Sequence, residues 1–296
     1  VTKSPTWMCK DIADFDRILE EQLTKLQTSY VDFYLLHALS RERWEHIKEM
    51  NLLPHLKSVL DSGKVRRIGF SFHDDYEVFE EILNAYDWDF CQIQFNYMDT
   101  EIQAGIRGYE LAKSRNIPMT IMEPVKGGSL VNLPEEAKKV LDDLHGGSPA
   151  SYAIRFAAGF PGMMMVLSGM SNMEQMKDNL SYMRDFKPLN ETELAAVNKV
   201  QEIFHKMNMI PCTACRYCVE GCPKQISIPD LFAIMNIKQL HHDWNADYYY
   251  EEVHTAPGRR ASDCLKCGKC EKICPQHLPI RKLLEEIAKE FDKPEA

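Results

Sequence analysis

The sequence predicts an α/β fold of parallel βα units, followed by a small, mainly helical domain. Three observations lead there. From residue 1 to about 185, short apolar runs alternate with helical patterns, which is the signature of parallel βα units. Runs such as 31–36 and 164–167 are nearly continuous in apolar character, as expected of strands covered on both faces. Beyond about residue 210 the alternation stops and one cysteine spacing occurs twice.

The elements follow in order. Ile12, Phe15, Ile18, Leu19, Leu23 and Leu26 fall at helical spacing within 11–27. Residues 31–36 read as a buried strand that ends at His37. Leu52, Leu53, Leu56, Val59 and Leu60 predict a helix stopped by Gly63. A strand at 65–70, a helix at 75–86, a strand at 89–94, a helix at 102–115 and a strand at 118–122 come next. Ser148 and Pro149 supply a cap and a first-turn proline for another helix. A strand at 164–167 and a helix at 173–182 complete six βα units. Asn190 and Glu193 stand in capping-box spacing before a helix at 191–207. A closed (β/α)8 barrel and a doubly wound open sheet both suit this alternation. No G-x-G-x-x-G follows a strand, which weighs against the second.

The cysteines carry the sharpest chemistry. Cys212, Cys215, Cys218 and Cys222 form one C-x2-C-x2-C-x3-C-P run, and Cys264, Cys267, Cys270 and Cys274 form the other. This is the bacterial ferredoxin pattern for two [4Fe–4S] clusters, in which the fourth cysteine of each run serves the other cluster. Cys212, Cys215, Cys218 and Cys274 are then expected to hold one cluster, and Cys264, Cys267, Cys270 and Cys222 the second. The repeat continues past the cysteines: Ile226, Ile228, Leu231 and Phe232 recur as Leu278, Ile280, Leu283 and Leu284. Zinc fits less well, because no histidine is interleaved and a proline follows each quartet. A disulfide framework fits least, since nothing marks a small secreted scaffold. Cys9 and Cys91 stand outside both runs and read as packing residues.

Composition narrows the class further. An apolar content of 45% can build a substantial core. A net charge of −9, with no basic stripe, argues against a nucleic-acid partner. The apolar runs are far too short to span a bilayer, and no signal peptide is visible, so a reducing cytoplasmic setting is expected. The domains are expected at 1–185, with a connecting helix at 186–210 and the two-cluster domain at 211–296.

Five segments, in order, carry a resemblance. They are Val1-Thr-Lys3-Ser-Pro, Val31-Asp-Phe-Tyr-Leu-Leu-His37, Arg67-Ile-Gly-Phe-Ser71, Gln92-Ile-Gln-Phe-Asn96 and the stretch from Ser168-Gly169 to Asn179-Leu180. Together the chain resembles the aldo/keto reductase family, and with its cysteine-rich tail the iron–sulfur branch of that family. The resemblance implies a (β/α)8 TIM-type barrel, of which the chain shows the third strand through the eighth. It places two further βα units, with the family's aspartate and proton-donating tyrosine, ahead of Val1.

The resemblance also implies roles. Lys3 matches the family's lysine and His37 its histidine, the catalytic positions present here. Ser71, Gln92 and Asn96 match positions that hold the nicotinamide amide. Ser168, Gly169, Ser171, Asn172, Asp178 and Asn179 match the region around phosphate and adenine. The family's 2′-phosphate clamp falls on Gly169 and Gln175, which are not cationic, so NAD(P)H is expected with NADH at least as good as NADPH. The implied function is interconversion of a small carbonyl and alcohol, coupled to electron transfer through the clusters. An alternative is an electron-transfer protein whose barrel is a non-catalytic scaffold. Arg216, Lys224, Lys266, Lys269 and Lys272 decorate the cysteine loops and point to an acidic electron-carrier protein as partner. His241, His242, Asp243, Trp244 and the Tyr248–Tyr250 stretch read as packing around the clusters.

Overall fold

The computed structural model describes residues 1–207, 209–241, 245–255 and 259–292. Six strands form one sheet: Thr2–Ser4 (β1), Val31–Leu39 (β2), Val65–Phe72 (β3), Phe90–Gln94 (β4), Met119–Met122 (β5) and Met163–Val166 (β6). Every strand pairs in parallel with its neighbour in sequence, in the order β1-β2-β3-β4-β5-β6. That order is the barrel alternative rather than the doubly wound one, whose strand order reverses at a switch point.

Helices return the chain between strands: Ile12–Leu26 (α1), Arg41–Glu49 (α2), Leu52–Asp61 (α3), Tyr76–Ala85 (α4) and Gly105–Ser114 (α5). Glu135–Asp142 (α6), Pro149–Ala158 (α7), Met173–Met183 (α8) and Glu191–Lys206 (α9) follow. The cysteine-rich part adds Tyr217–Glu220 (α10), Ile228–His241 (α11), Asn245–Tyr248 (α12), Lys269–Ile273 (α13) and Ile280–Phe291 (α14).

Local chemistry sets the ends. Asp11 caps α1 by accepting Asp14 N–H at 2.9 Å, and Phe15, Ile18, Leu19 and Leu23 form its buried face. At the head of α9, Asn190 Oδ1 accepts Glu193 N–H at 3.0 Å while Glu193 Oε2 accepts Asn190 N–H at 2.9 Å, completing the expected box. Ser148 Oγ accepts Ser151 N–H at 3.1 Å, so the serine caps α7 as expected. Gly69 lets β3 and β4 approach: a Cβ there would lie 2.4 Å from the Phe90 carbonyl oxygen.

Strand β2 and helix α2 differ from the sequence reading in ways that bear on the site. The strand expected to end at His37 runs on to Leu39, with a register break between Leu36 and Leu39. Helix α2 was not expected, because RERWEHIKE is mostly charged. Ser40 starts it, and Trp44 and Ile47, three residues apart, anchor it in the core.

By contact, the chain forms two compact units: Val1–Pro124 with Ala153–Leu189, and Val125–Tyr152 with Asn190–Ala296. The first is built on the sheet, its core holding Phe15, Leu36, Leu56, Phe70, Phe79, Ile93, Phe95 and Ile121. The second has its own core of Ile226, Ile228, Leu231, Phe232, Leu278, Ile280, Leu284 and Ile287 around the cysteines. In that unit α9 packs against α6, so 125–152 joins the cysteine-rich part, a partition that periodicity alone does not disclose. Among the described residues no helix is long and apolar enough to cross a membrane.

Candidate functional site

The two cysteine runs fold as copies of one another. Ala214 and Lys266 are left-handed (φ 55° and 54°), as are Arg216 and Gly268 (66° and 74°) and Gln225 and His277 (51° and 49°). Within each pair the residues are 52 apart, the same offset as Cys212 from Cys264. Such reversals turn successive N–H groups inward, a geometry suited to negative charge. Accordingly, Ala214 N–H donates to Cys212 Sγ and Lys266 N–H donates to Cys264 Sγ, both at 3.4 Å. In each run the second cysteine is exposed and the third buried.

The fourth cysteines cross over. One cavity, of about 310 Å³, is lined by Cys212, Cys215, Cys218 and Cys274, with Phe232 and Ile280. The other, of about 350 Å³, is lined by Cys264, Cys267, Cys270 and Cys222, with Ile226 and Leu284. Burial pushes the Cys212 thiol up to about 11, with Cys215 and Cys274 adding to the rise. It pushes Cys218 up to about 12, again with Cys215, Cys212 and Cys274 contributing. Thiols held protonated in this way by an apolar pocket need a cationic core to become thiolates together. A [4Fe–4S] cluster supplies such a core, so the donor set fits the group. Tyr250, beyond the first run, is buried and stacks on Phe291 at 4.6 Å. His242, Asp243 and Trp244 lie outside the described residues.

A second constellation lies at the carboxyl ends of β1 to β3. Register places Lys3 opposite Leu35, and His37 lies two residues further along β2 on the same face. Burial lowers the Lys3 pKa. Burial, then the charges of Lys3 and Arg43, lower His37 to about 4, so its imidazole is neutral near pH 7. Trp7 lies 5.2 Å from the His37 ring, and the Arg43 guanidinium lies 4.2 Å over Trp7. His73, just past β3, is also held near 4, chiefly by burial, and feels both His37 and Lys3. The sequence reading passed over it; the signal was its place directly after a strand's carboxyl end.

The nicotinamide-matching residues are all buried, and each meets protein partners. Ser71 Oγ accepts Ala38 N–H at 2.7 Å. Gln92 Nε2 donates to Met122 Sδ at 3.3 Å, a weak acceptor that a ligand can displace. Asn96 Nδ2 donates to Asp99 Oδ2 and to the Glu123 carbonyl, each at 2.9 Å, while its Oδ1 accepts Met98 and Asp99 N–H. Asn96 therefore braces the loop after β4.

The phosphate-matching residues gather at the start of α8. Asn172 Oδ1 accepts Gln175 N–H at 2.9 Å as a cap, and Gln175 Oε1 accepts Ser171 N–H at 2.7 Å. Asn179 Nδ2 donates to Ser168 Oγ at 2.8 Å, and Tyr182 O–H donates to Asn179 Oδ1. Gly169 has open space around it. Asp178 lies on the same helix, one residue before Asn179.

Comparison with known proteins finds two family descriptions that match successive stretches of the chain. The description "Aldo/keto reductase family" fits residues 5–202, and a 4Fe-4S dicluster domain fits residues 211–278. The chain is similar to an aldo/keto reductase of Klebsiella pneumoniae solved in complex with NADP and acetate. Identity is 20% and the TM-score 0.55, over 68% of this chain and 69% of that one. It is similar also to an aldo-keto reductase of Bacillus halodurans in its holo form, at 20% identity and a TM-score of 0.54, over 64% and 65% of the two chains. These likenesses concern the fold. Among curated proteins, a 78-residue stretch is 27% identical to the acetyl-CoA decarbonylase/synthase complex subunit alpha 1 of Methanosarcina acetivorans. That stretch is 26% of this chain and 8% of the relative.

Proposed function

This chain belongs to the aldo/keto reductase family, and we propose that it is an iron–sulfur oxidoreductase that interconverts a small carbonyl and an alcohol with a nicotinamide nucleotide. The observation that carries the redox part is the pair of four-cysteine cavities, each completed by the fourth cysteine of the other run. Bound there, two [4Fe–4S] clusters supply one-electron transfer, and a bound nicotinamide supplies a hydride.

The chain's own residues prepare that chemistry. Neutral His37 can donate an N–H to a carbonyl oxygen and orient it. Half-buried Lys3, with its lowered pKa, brings positive potential beside it, which favours negative charge developing on that oxygen. Gln92 supplies an amide for nicotinamide, and Ser168, Ser171, Asn172, Asp178 and Asn179 surround the phosphate and adenine end. Gly169 and Gln175 offer no cationic fork, so NADH is expected to bind at least as well as NADPH. On the cluster side, Lys224 and Lys269 line the second cavity and Lys272 is exposed nearby, a cationic rim suited to an acidic electron-carrier protein. Arg216 and Lys266 instead pair with Asp230 and Glu285.

The test is an anaerobic titration of cluster-loaded protein with NADH and then NADPH, following visible absorbance. Bleaching at stoichiometric nucleotide supports one electron circuit. Failure to bleach, in protein that dithionite still reduces, favours a second reading in which the barrel is a scaffold for an electron-transfer module. The saturated Asn96 amide and the occupied Ser71 oxygen favour that second reading.

A further inference from the structure

Lys126 follows Pro124 closely in sequence and belongs to the unit that holds the cysteines. It is 5% exposed, the one buried lysine among the described residues, and its backbone is left-handed (φ 49°). The next residue, Gly127 (φ 62°), comes so close to the first cysteine run that a Cβ would sit 2.5 Å from the Thr213 carbonyl oxygen. Thr213 directly follows Cys212 and is itself buried. The turn at 126–127 is thus locked against the backbone of the first quartet.

The second quartet has a different electrostatic setting. Lys266 pairs with Glu285 at 2.6 Å and Arg281 with Glu271 at 2.7 Å, both cations being exposed. Lys269 and Lys272 are exposed and Lys224 is partly so. Surface charges act through water and are screened by salt, whereas a buried charge is screened far less. The repeat is symmetric in its cysteines and backbone, and asymmetric in this one buried cation.

We infer that Lys126 is an electrostatic tuning residue that raises the reduction potential of the cluster held by the first quartet above that of the second. The inference rests on the two-cluster reading. Reduction adds one electron to a cluster, and a fixed positive charge nearby stabilises the more negative form.

The experiment is an anaerobic redox titration, followed by electron paramagnetic resonance, of wild type, K126M and K126R, with iron counted in each. Wild type with fewer than about eight irons overturns the two-cluster reading itself. Given about eight irons, K126M should move one of two reduction steps downward and leave the other in place. The expected size is a tenfold shift in the ratio of reduced to oxidised cluster, about 59 mV for a one-electron couple. K126R should keep the wild-type value. Loss of one cluster in K126M, with K126R intact and unshifted, supports the same electrostatic role. Four outcomes overturn it: no shift in K126M, equal shifts of both steps, a K126R shift as large as that of K126M, or cluster loss in both variants.

Discussion

Ser71 Oγ, on β3, accepts the backbone N–H of Ala38 at 2.7 Å and so pins the irregular end of β2, one residue beyond His37. Ala38 is buried and left-handed (φ 53°), a conformation that needs outside support in a residue with a Cβ. In S71A the Ala38 N–H loses this acceptor in the interior. A loss of about 1–3 kcal/mol is expected, read from the denaturant midpoint of the apo and cluster-loaded protein. An unchanged midpoint would show that the end of β2 is held by something else.

The histidines predict acid sensitivity. The folded chain holds His37 and His73 near 4, both mainly through burial, while unfolded histidines take up protons near pH 6.5. Between those values the unfolded state binds more protons, so stability is full above about 6.5 and falls as pH drops toward 4. In H37Q, proton uptake on unfolding at pH 5 should fall by about one, measured by calorimetry in buffers of different ionisation enthalpy. An unchanged uptake would place the His37 titration at its ordinary value.

Cysteine replacement separates crossed from uncrossed ligation. C274A and C215A should each lose one cluster, and the double variant C274A/C215A should lose no more than either, keeping about four irons. The double variant C274A/C267A should lose both. Iron content and the visible spectrum distinguish the patterns. If C274A/C267A keeps about four irons, the fourth cysteine serves its own run.

Gly127 makes a backbone prediction. Its left-handed turn and the 2.5 Å approach to Thr213 leave no room for a side chain. G127A should displace the Cys212 loop and cut iron content from about eight toward four. G128A is the control: Gly128 also has a positive φ, but its nearest neighbour, the Asn132 side chain, lies 3.7 Å from a built Cβ. Equal loss in both variants would point to backbone strain rather than to the Thr213 contact.

Neutralising the rim tests the partner. The triple variant K224Q/K269Q/K272Q should slow electron exchange with an acidic carrier protein by about tenfold at low salt, with the difference shrinking as salt rises. An unchanged rate at low salt would remove these lysines from docking.

The sequence by itself determined the parts whose physics is local or periodic. Alternating apolar runs placed β2 to β6 and most of their helices, the Asn190–Glu193 box placed the start of α9, and a 52-residue offset made the cysteine repeat plain. Tertiary structure decided what depends on residues distant in the chain. Helix α2 rests on two core contacts, Trp44 and Ile47, amid charged neighbours. The 125–152 segment joins the cysteine unit through packing of α6 on α9. Ser71 meets Ala38 across 33 residues, and Gly127 meets Thr213 across a still longer stretch. Periodicity records which face of an element is buried, whereas a partner's identity is fixed only when the closed chain brings two distant backbones within hydrogen-bonding or van der Waals reach.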